Sequence, residues 1–359
     1  MIRRVQGPLR LGIGAFACAV LAAAVAGAPA SASPGVVKRV SQAPNAVTDY
    51  WTDARMAAAR PAEELLQGVL PAVEPVPGES GPAVTVAPVG RRGLLDDLLK
   101  DLLGGGAQQA RSAVEVPNHD KRPVRAHGRV FFRLAGGNYY CSATVVKSKI
   151  RRLVVTAGHC AHDFGQFAEN WMFVPAYKQG AEPFGRWTAK RIAVPKRWKV
   201  TTSNGNPADD DLRYDVAMVT LRSRKGKRIQ EVVGARGIGF NKARDRTYQA
   251  FGYPAVSPFD GERPYMCVSP FRGTDEEFAP PRPLRIDCDM TAGASGGGMV
   301  VGGRTLVSVI SYSYGCEEGL PIIGDLLPCS NPEAGKLFGP YFGNSIRKLY
   351  KRESRPKRK

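Results

Sequence analysis

Apolar and polar positions fall into three textures along the 359 residues of the chain. Near the start, one apolar run extends from Leu11 to Ala28, broken only by small residues such as Gly12 and Gly14. In the middle, Leu94-Leu95-Asp96-Asp97-Leu98-Leu99-Lys100-Asp101-Leu102-Leu103 places leucines at i, i+1, i+4, i+5, i+8 and i+9. That spacing predicts one amphipathic helix of about ten residues. Alone in water it is too short to persist, so it should dock on something. Beyond Pro123 the texture changes to short β-like runs parted by turns: Gly128–Leu134, Ala143–Val146, Leu153–Thr156, Asp215–Leu221 and Thr305–Ile310. Many short strands with Gly and Pro turns predict an all-β domain, and about 235 residues suit two barrels, neither of which stands alone. The basic stretch Arg222 to Arg228 is the expected link between the halves. One terminal helix is expected, because Tyr341, Phe342, Ile346, Leu349 and Tyr350 share a face.

Flanking residues decide how the first run is read. Arg3, Arg4 and Arg10 precede it, and Ala28-Pro29-Ala30 and Ala30-Ser31-Ala32 follow. A basic start, a short apolar stretch and small-residue cleavage sites describe a secretory signal peptide over residues 1–32, cut near Ala30 or Ala32. A membrane anchor is the competing reading, but the run is rich in Ala and Gly rather than Leu, so no stable membrane insertion is expected. Residues 33–120 read as an extension. A helix-prone piece from Tyr50 to Ala59, with Asp49 or Thr52 as its cap, precedes Pro71, Pro75, Pro77, Pro82 and Pro88. Those prolines predict an extended linker. The leucine helix is then either a pro-segment helix covering a groove or a weak surface-binding helix. Aspartates on its polar face favour the first.

Export changes the reading of the cysteines. Cys18 leaves with the signal, and Cys141, Cys160, Cys267, Cys288, Cys316 and Cys329 remain. An even set in an exported chain points to disulfides, and the spacings form three local couples: 141/160, 267/288 and 316/329. No C-x-x-C occurs, and His159 and His162 complete no finger-like ligand set, so neither a metal nor a cofactor is expected. Asp209, Asp210 and Asp211 form a charge run that is solvated or calcium-binding rather than catalytic, without EF-hand spacing. The net charge is +19, and the segment from Arg347 to Lys359 carries eight basic residues and one acidic. Its end, 351–359, reads as a solvated tail with loose affinity for anionic surfaces. No motif or aromatic interleaving supports specific nucleic-acid recognition.

Three words carry chemistry: Val154-Val155-Thr156-Ala157-Gly158-His159-Cys160, Tyr214-Asp215-Val216-Ala217-Met218-Val219-Thr220-Leu221, and Thr291-Ala292-Gly293-Ala294-Ser295-Gly296-Gly297-Gly298. A serine hydroxyl needs a neighbouring base, and a histidine base needs a carboxylate to fix its tautomer and stabilise its charged form. His159 ends an apolar strand, Asp215 begins one, and Ser295 sits among glycines that permit a tight turn. The amides of Gly293 and Ser295 are the candidates for an oxyanion hole. His162 reads as a solvated loop residue.

From about Gly128 to Tyr350 the sequence resembles the trypsin/chymotrypsin clan of serine endopeptidases, especially its secreted bacterial, V8-like branch. The T-A-x-H-C and G-x-S-G-G words carry the likeness, in the order His, Asp, Ser. The resemblance implies a serine peptidase domain over 121–350, with two six-stranded antiparallel barrels and a C-terminal helix. It implies catalysis by His159, Asp215 and Ser295 through an acyl-enzyme, on a protein or peptide substrate, by a secreted monomer. Cys141 and Cys160 match the family's disulfide beside the histidine. Asp289, six residues before the serine, falls at the family's pocket floor, where a buried carboxylate would favour Arg or Lys at P1. Small or apolar P1 is the alternative if Asp289 serves structure instead, and no histidine occurs after His162 to support a V8-like preference for Glu. Ser311 would pair through its backbone with substrate. Ala294 replaces the aspartate that in many animal members receives a new N-terminus, so that activation switch is unavailable here. The competing function is a non-catalytic secreted binding protein on the same fold that contacts anionic cell-wall or surface polymers.

Overall fold

Strands of this chain are apolar on both faces, and the fold shows why. A computed structural model describes residues 35–63, 75–88, 112–198, 211–314 and 335–356. The signal, the leucine helix, the 316/329 couple, Asp209 and Asp210 lie outside the described residues. In His127–Leu134, Val130, Phe132 and Leu134 enter the main core, while Phe131 points the other way into a separate cluster. Glu169–Pro175 repeats the division, with Trp171 and Phe173 inward and Met172 and Val174 outward. Period-two alternation is preserved, but both faces are covered.

Six strands close the first barrel. Glu169–Pro175 pairs with His127–Leu134, which pairs in turn with Gly137–Val146, Leu153–Thr156, Ala217–Leu221 and Trp187–Pro195, and the last returns to Glu169–Pro175. The second sheet runs Lys336–Gly339, Leu284–Asp287, Tyr265–Thr274, Thr247–Gly252, Gly298–Val301, Thr305–Val309 and Gly237–Phe240. A bridge between Tyr312 and Phe338 and a bond from Ser311 N to Phe338 O (2.9 Å) draw its ends together. The expected two-barrel, mainly β architecture with a small C-terminal helix is therefore observed. That helix, Asn344–Glu353, buries Ile346, Leu349 and Tyr350.

Between the halves, Arg224 and Lys227 form a tight hairpin, followed by a short helix at Ile229–Val233. Arg236, fully buried, ties the two barrels together. Its Nε donates to His127 Nε2 at 3.0 Å, and His127 Nδ1 lies 2.9 Å from Thr144 Oγ1. Burial, then the neighbouring guanidinium, holds His127 well below its ordinary pKa, so it stays neutral.

The described parts of the extension form one compact unit with the body, Ser33–Lys359. Gly35–Arg39 pairs antiparallel with the barrel strand at 191–195, and Arg60–Pro61 pairs in parallel with Tyr139–Tyr140. Val84–Val86 adds to Gly237–Phe240, and Val114–Glu115 adds to Tyr265–Thr274. Where the sequence predicts one helix from Tyr50 to Ala59, two occur: Pro44–Tyr50 and Asp53–Ala57. Trp51 separates them. Its ring is fully buried against Phe131 (5.5 Å between centroids), its Nε1 donates to Asn170 O, and Arg186 binds its carbonyl. Thr52 then caps the second helix by accepting from Arg55 N at 3.2 Å. The outer cluster of Val47, Trp51, Met56 and Ala59 with Phe131, Met172 and Val174 gives the extension a core borrowed from the body.

That borrowed core generates a prediction. Trp51→Ala removes its largest fully buried ring and should lower unfolding free energy by about 3–5 kcal/mol in denaturant titration. A loss below about 1 kcal/mol would mean the extension is not part of the cooperative unit.

Candidate active site

The site lies where the two sheets meet. Asp215 ends a single helical turn at Leu212–Tyr214, just before the strand Ala217–Leu221. Asp211 makes that turn. It accepts from Arg213 N and binds the Arg213 guanidinium through both oxygens, so this member of the acidic run has a structural partner. His159 follows the strand Leu153–Thr156, clamped by the Cys141–Cys160 disulfide. The second expected bridge, Cys267–Cys288, is present as well.

Asp215 and His159 are both fully buried. His159 N donates to Asp215 Oδ1 at 2.9 Å, His159 Nδ1 to Asp215 Oδ2 at 2.9 Å, and Ser311 Oγ to Asp215 Oδ2 at 2.5 Å. A carboxylate only accepts, so Nδ1 carries the proton and Nε2 presents a lone pair. Burial pushes the imidazole pKa down. The charge and hydrogen bond of Asp215, with Glu63 and Asp163 adding negative charge, outweigh it and hold His159 above its ordinary value.

Ser295 sits in a turn that only glycines can build. Gly293 has φ 97°, where a Cβ would run into the Tyr253 carbonyl, and at Gly296 (φ 78°) it would meet Thr156 and Ser142. Ser142 braces this turn from the first barrel: its Oγ donates to Gly293 O at 2.9 Å and its N to Ser295 O at 2.7 Å. Sequence reading did not single out Ser142, and a serine in a strand carries no signal of that role. The turn aims the amides of Gly293 and Ser295 at one point, and that point is occupied. Glu63 Oε1, from the extension, accepts from Gly293 N at 2.8 Å and from Ser295 N at 3.0 Å. Ser295 Oγ meanwhile donates to Ser311 O at 3.1 Å, and His159 Nε2 makes no hydrogen bond.

Not every expected site residue joins this group. Asp289 is exposed rather than buried, and its Oδ1 accepts from Ala113 N of the extension at 2.6 Å. Its neighbours Cys288 and Met290 point into the second core. Ser311 spends its amide on Phe338 O and its carbonyl on Ser295, so here it braces the site. His162, expected in solvent, is buried, edge-on to Phe167, with its pKa pushed down to about 4 by burial. Among the described residues, one group of possible metal ligands includes His159, but its other two members are the disulfide-bonded Cys141 and Cys160, which donate no thiolate.

A frame that can take a proton from a hydroxyl and receive negative charge at two neighbouring amides is that of a serine hydrolase, here of the two-barrel kind. The sequence profile of the Trypsin family matches residues 118–324, more than half of the chain, and the chain belongs to that family. It is a serine endopeptidase. Among solved structures, the protease Anisep from Arthrobacter nicotinovorans is similar at 36% identity, covering 65% of this chain and 97% of that one, with a TM-score of 0.55. The thermostable serine protease AL20 from an extremophilic microorganism is similar at 32% identity, covering 64% and 97%, with a TM-score of 0.51. No curated protein matches the chain significantly.

Asp163, fully buried near the pair, yields a pH-dependent prediction. Burial pushes its carboxyl up to about 7, against the pull of the His159 charge and the Phe164 N–H. A raised folded-state pKa means the folded chain holds the proton more tightly, so stability is lost as pH rises from about 4 to 7. Asp163→Asn removes that ionisation and keeps an oxygen for Phe164 N. The variant should match the parent at pH 4 and exceed it at pH 8 by about 2–4 kcal/mol in urea unfolding. Equal stability at pH 8 refutes the buried-acid assignment.

Proposed function

We propose that the protein is exported and hydrolyses peptide bonds through His159, Asp215 and Ser295 by way of an acyl-enzyme. The observation that carries this reading is the buried His159–Asp215 pair beside a serine flanked by two convergent amides. Ser295 Oγ turns from the Ser311 carbonyl to His159 Nε2, which takes its proton as Oγ attacks the substrate carbonyl carbon. Gly293 N–H and Ser295 N–H receive the oxyanion, each worth about 3–4 kcal/mol. Asp215 stabilises the imidazolium, which then protonates the leaving amine, and water repeats the sequence to release the acid. Freed from Ser295, the Ser311 carbonyl becomes available to a substrate N–H, which is the pairing expected of it. Export is supported by the amino-terminal signal pattern and by two disulfides among the described residues, which persist in oxidising compartments.

The test is chemical. Ser295→Ala should abolish labelling by a fluorophosphonate probe and reduce peptide hydrolysis on the order of 10⁶-fold, and Asp215→Asn on the order of 10⁴-fold. Labelling of another serine in Ser295→Ala would refute the assignment.

A secondary contact with anionic surfaces is supported by one feature of the described residues. A groove of about 1070 Å³ is lined by Arg39, Lys149, Arg152, Lys190, Arg222 and the tail residue Arg355, with no acidic side chain among its described lining. Such a surface binds anionic polymer in a salt-dependent way. Replacing Lys149, Lys190 and Arg355 with Ala should make the protein leave heparin-agarose at lower salt, and an unchanged elution point would refute the groove as the contact.

A further inference from the structure

The amides that would receive the oxyanion are already filled by the chain itself. Arg60–Pro61 runs alongside Tyr139–Tyr140, Ala62 is fully buried, and Glu63 is 7% exposed. The short parallel pairing delivers the Glu63 side chain, not a backbone carbonyl, to the convergent N–H groups of Gly293 and Ser295. A carboxylate oxygen is a charge-assisted acceptor and binds such a pair of N–H groups more strongly than a neutral carbonyl does. Its carbon is also a poor target for a serine oxygen, because attack would place a second negative charge on an already anionic group. What fills the hole is therefore an inhibitor and not a substrate.

Anchors on both sides of Glu63 hold it there. Before it come the strand Gly35–Arg39, the buried Trp51, and Arg222, which donates to Val40 O and Gln42 O at 2.9 Å each. After it, Val76 N donates to Pro280 O at 2.9 Å, and Glu79 accepts from Ser345 N at 2.9 Å at the start of the C-terminal helix. The other Glu63 oxygen is buried without a hydrogen-bond partner, as is His159 Nε2. Negative charge on Asp215, which bonds that imidazole, and on Glu63 and, where ionised, Asp163 raises its affinity for a proton. The charge that fills the hole therefore also adds to the proton affinity of the catalytic imidazole.

We propose that the extension is a built-in inhibitor whose Glu63 carboxylate occupies the oxyanion-stabilising amides and keeps the endopeptidase latent until the segment around residues 60–63 is withdrawn or cut away. This rests on the peptidase reading above. It also replaces the missing partner at Ala294: latency comes from a filled hole, not from a turn awaiting a new N-terminus.

The experiment measures the rate of fluorophosphonate labelling at Ser295 in the full chain, intact by mass, across pH 5–9. The chains compared are the wild type, Glu63→Ala and Glu63→Gln, with unfolding transitions and near-ultraviolet circular dichroism showing that each is folded. Glu63→Ala should label at least about tenfold faster, since a charge-assisted contact is worth about 1.5–3 kcal/mol. Its acid limb should move to lower pH, because the Glu63 charge then no longer raises the proton affinity of His159. Glu63→Gln keeps an acceptor oxygen without the charge and should fall between. Equal rates in all three chains would overturn the latch and leave the peptidase reading intact. A faster Glu63→Ala with an unmoved acid limb would overturn it too, as mere loosening. Absence of Ser295 label in every chain would overturn the peptidase reading and the latch with it.

Discussion

A carboxylate with no exposed surface dictates how this molecule is assembled. Asp215 lies in the interior, where an unpaired charge would be several kcal/mol unfavourable. It is tolerated because three donors converge on it: the backbone and ring of His159 from the first barrel, and the Ser311 hydroxyl from the second. The first barrel supplies one donor to each oxygen, and the second adds a third that crosses the seam. The interface between barrels is thereby fixed at the place where the chemistry needs it, with Arg236 and His127 making a second polar tie elsewhere along the same seam.

Much of this was legible in the sequence because the signals are local. A histidine between an apolar strand and a cysteine, and a serine between glycines, are short words whose geometry follows from backbone rules: Gly293 and Gly296 must take positive φ, and no other residue does so freely. The barrel strands were legible for the same reason, each as a compact apolar run. Other features were not. The expectation for Asp289 rests on its count from the serine, but the extension reaches it through Ala113, a contact between residues 176 apart that no pattern announces. His162 reads as a loop residue because a polar side chain in a turn resembles solvent-facing sequence, while in the fold Phe167 lies edge-on to its ring and Trp198 Nε1 donates to its carbonyl. The break at Trp51 was hidden because helix propensity continues through it, and only the socket on the first barrel pulls the ring out of register.

The barrel strands themselves carry a further signal. Val130-Phe131-Phe132 and Trp171-Met172-Phe173-Val174 carry apolar residues on both faces of barrel strands. A barrel has one interior, so doubly apolar strands require a second layer outside. The extension looks coreless on its own, with prolines and short helices, but the outward-facing Phe131, Met172 and Val174 are the missing half of its core. An extension and a body that each look incomplete are one folding unit.

On the proposed latch, that unity lets a weak contact close the active site. One carboxylate on two amides is a contact of a few kcal/mol at most, and a free carboxylic acid would bind such a pair poorly. Attached to the body by a strand before it and a helix-capping glutamate after it, the same carboxylate is present at an effective concentration in the millimolar range or above. An incoming peptide must compete with that local concentration while bringing only a neutral carbonyl to the hole. The asymmetry reverses once the tether is lost: a detached segment dilutes away, and the amides, held in place by Ser142 and by glycine geometry rather than by the inhibitor, remain aimed at the same point. On that proposal, latency and activity differ by one side chain's address and not by a rebuilt turn, which suits a chain with alanine at 294.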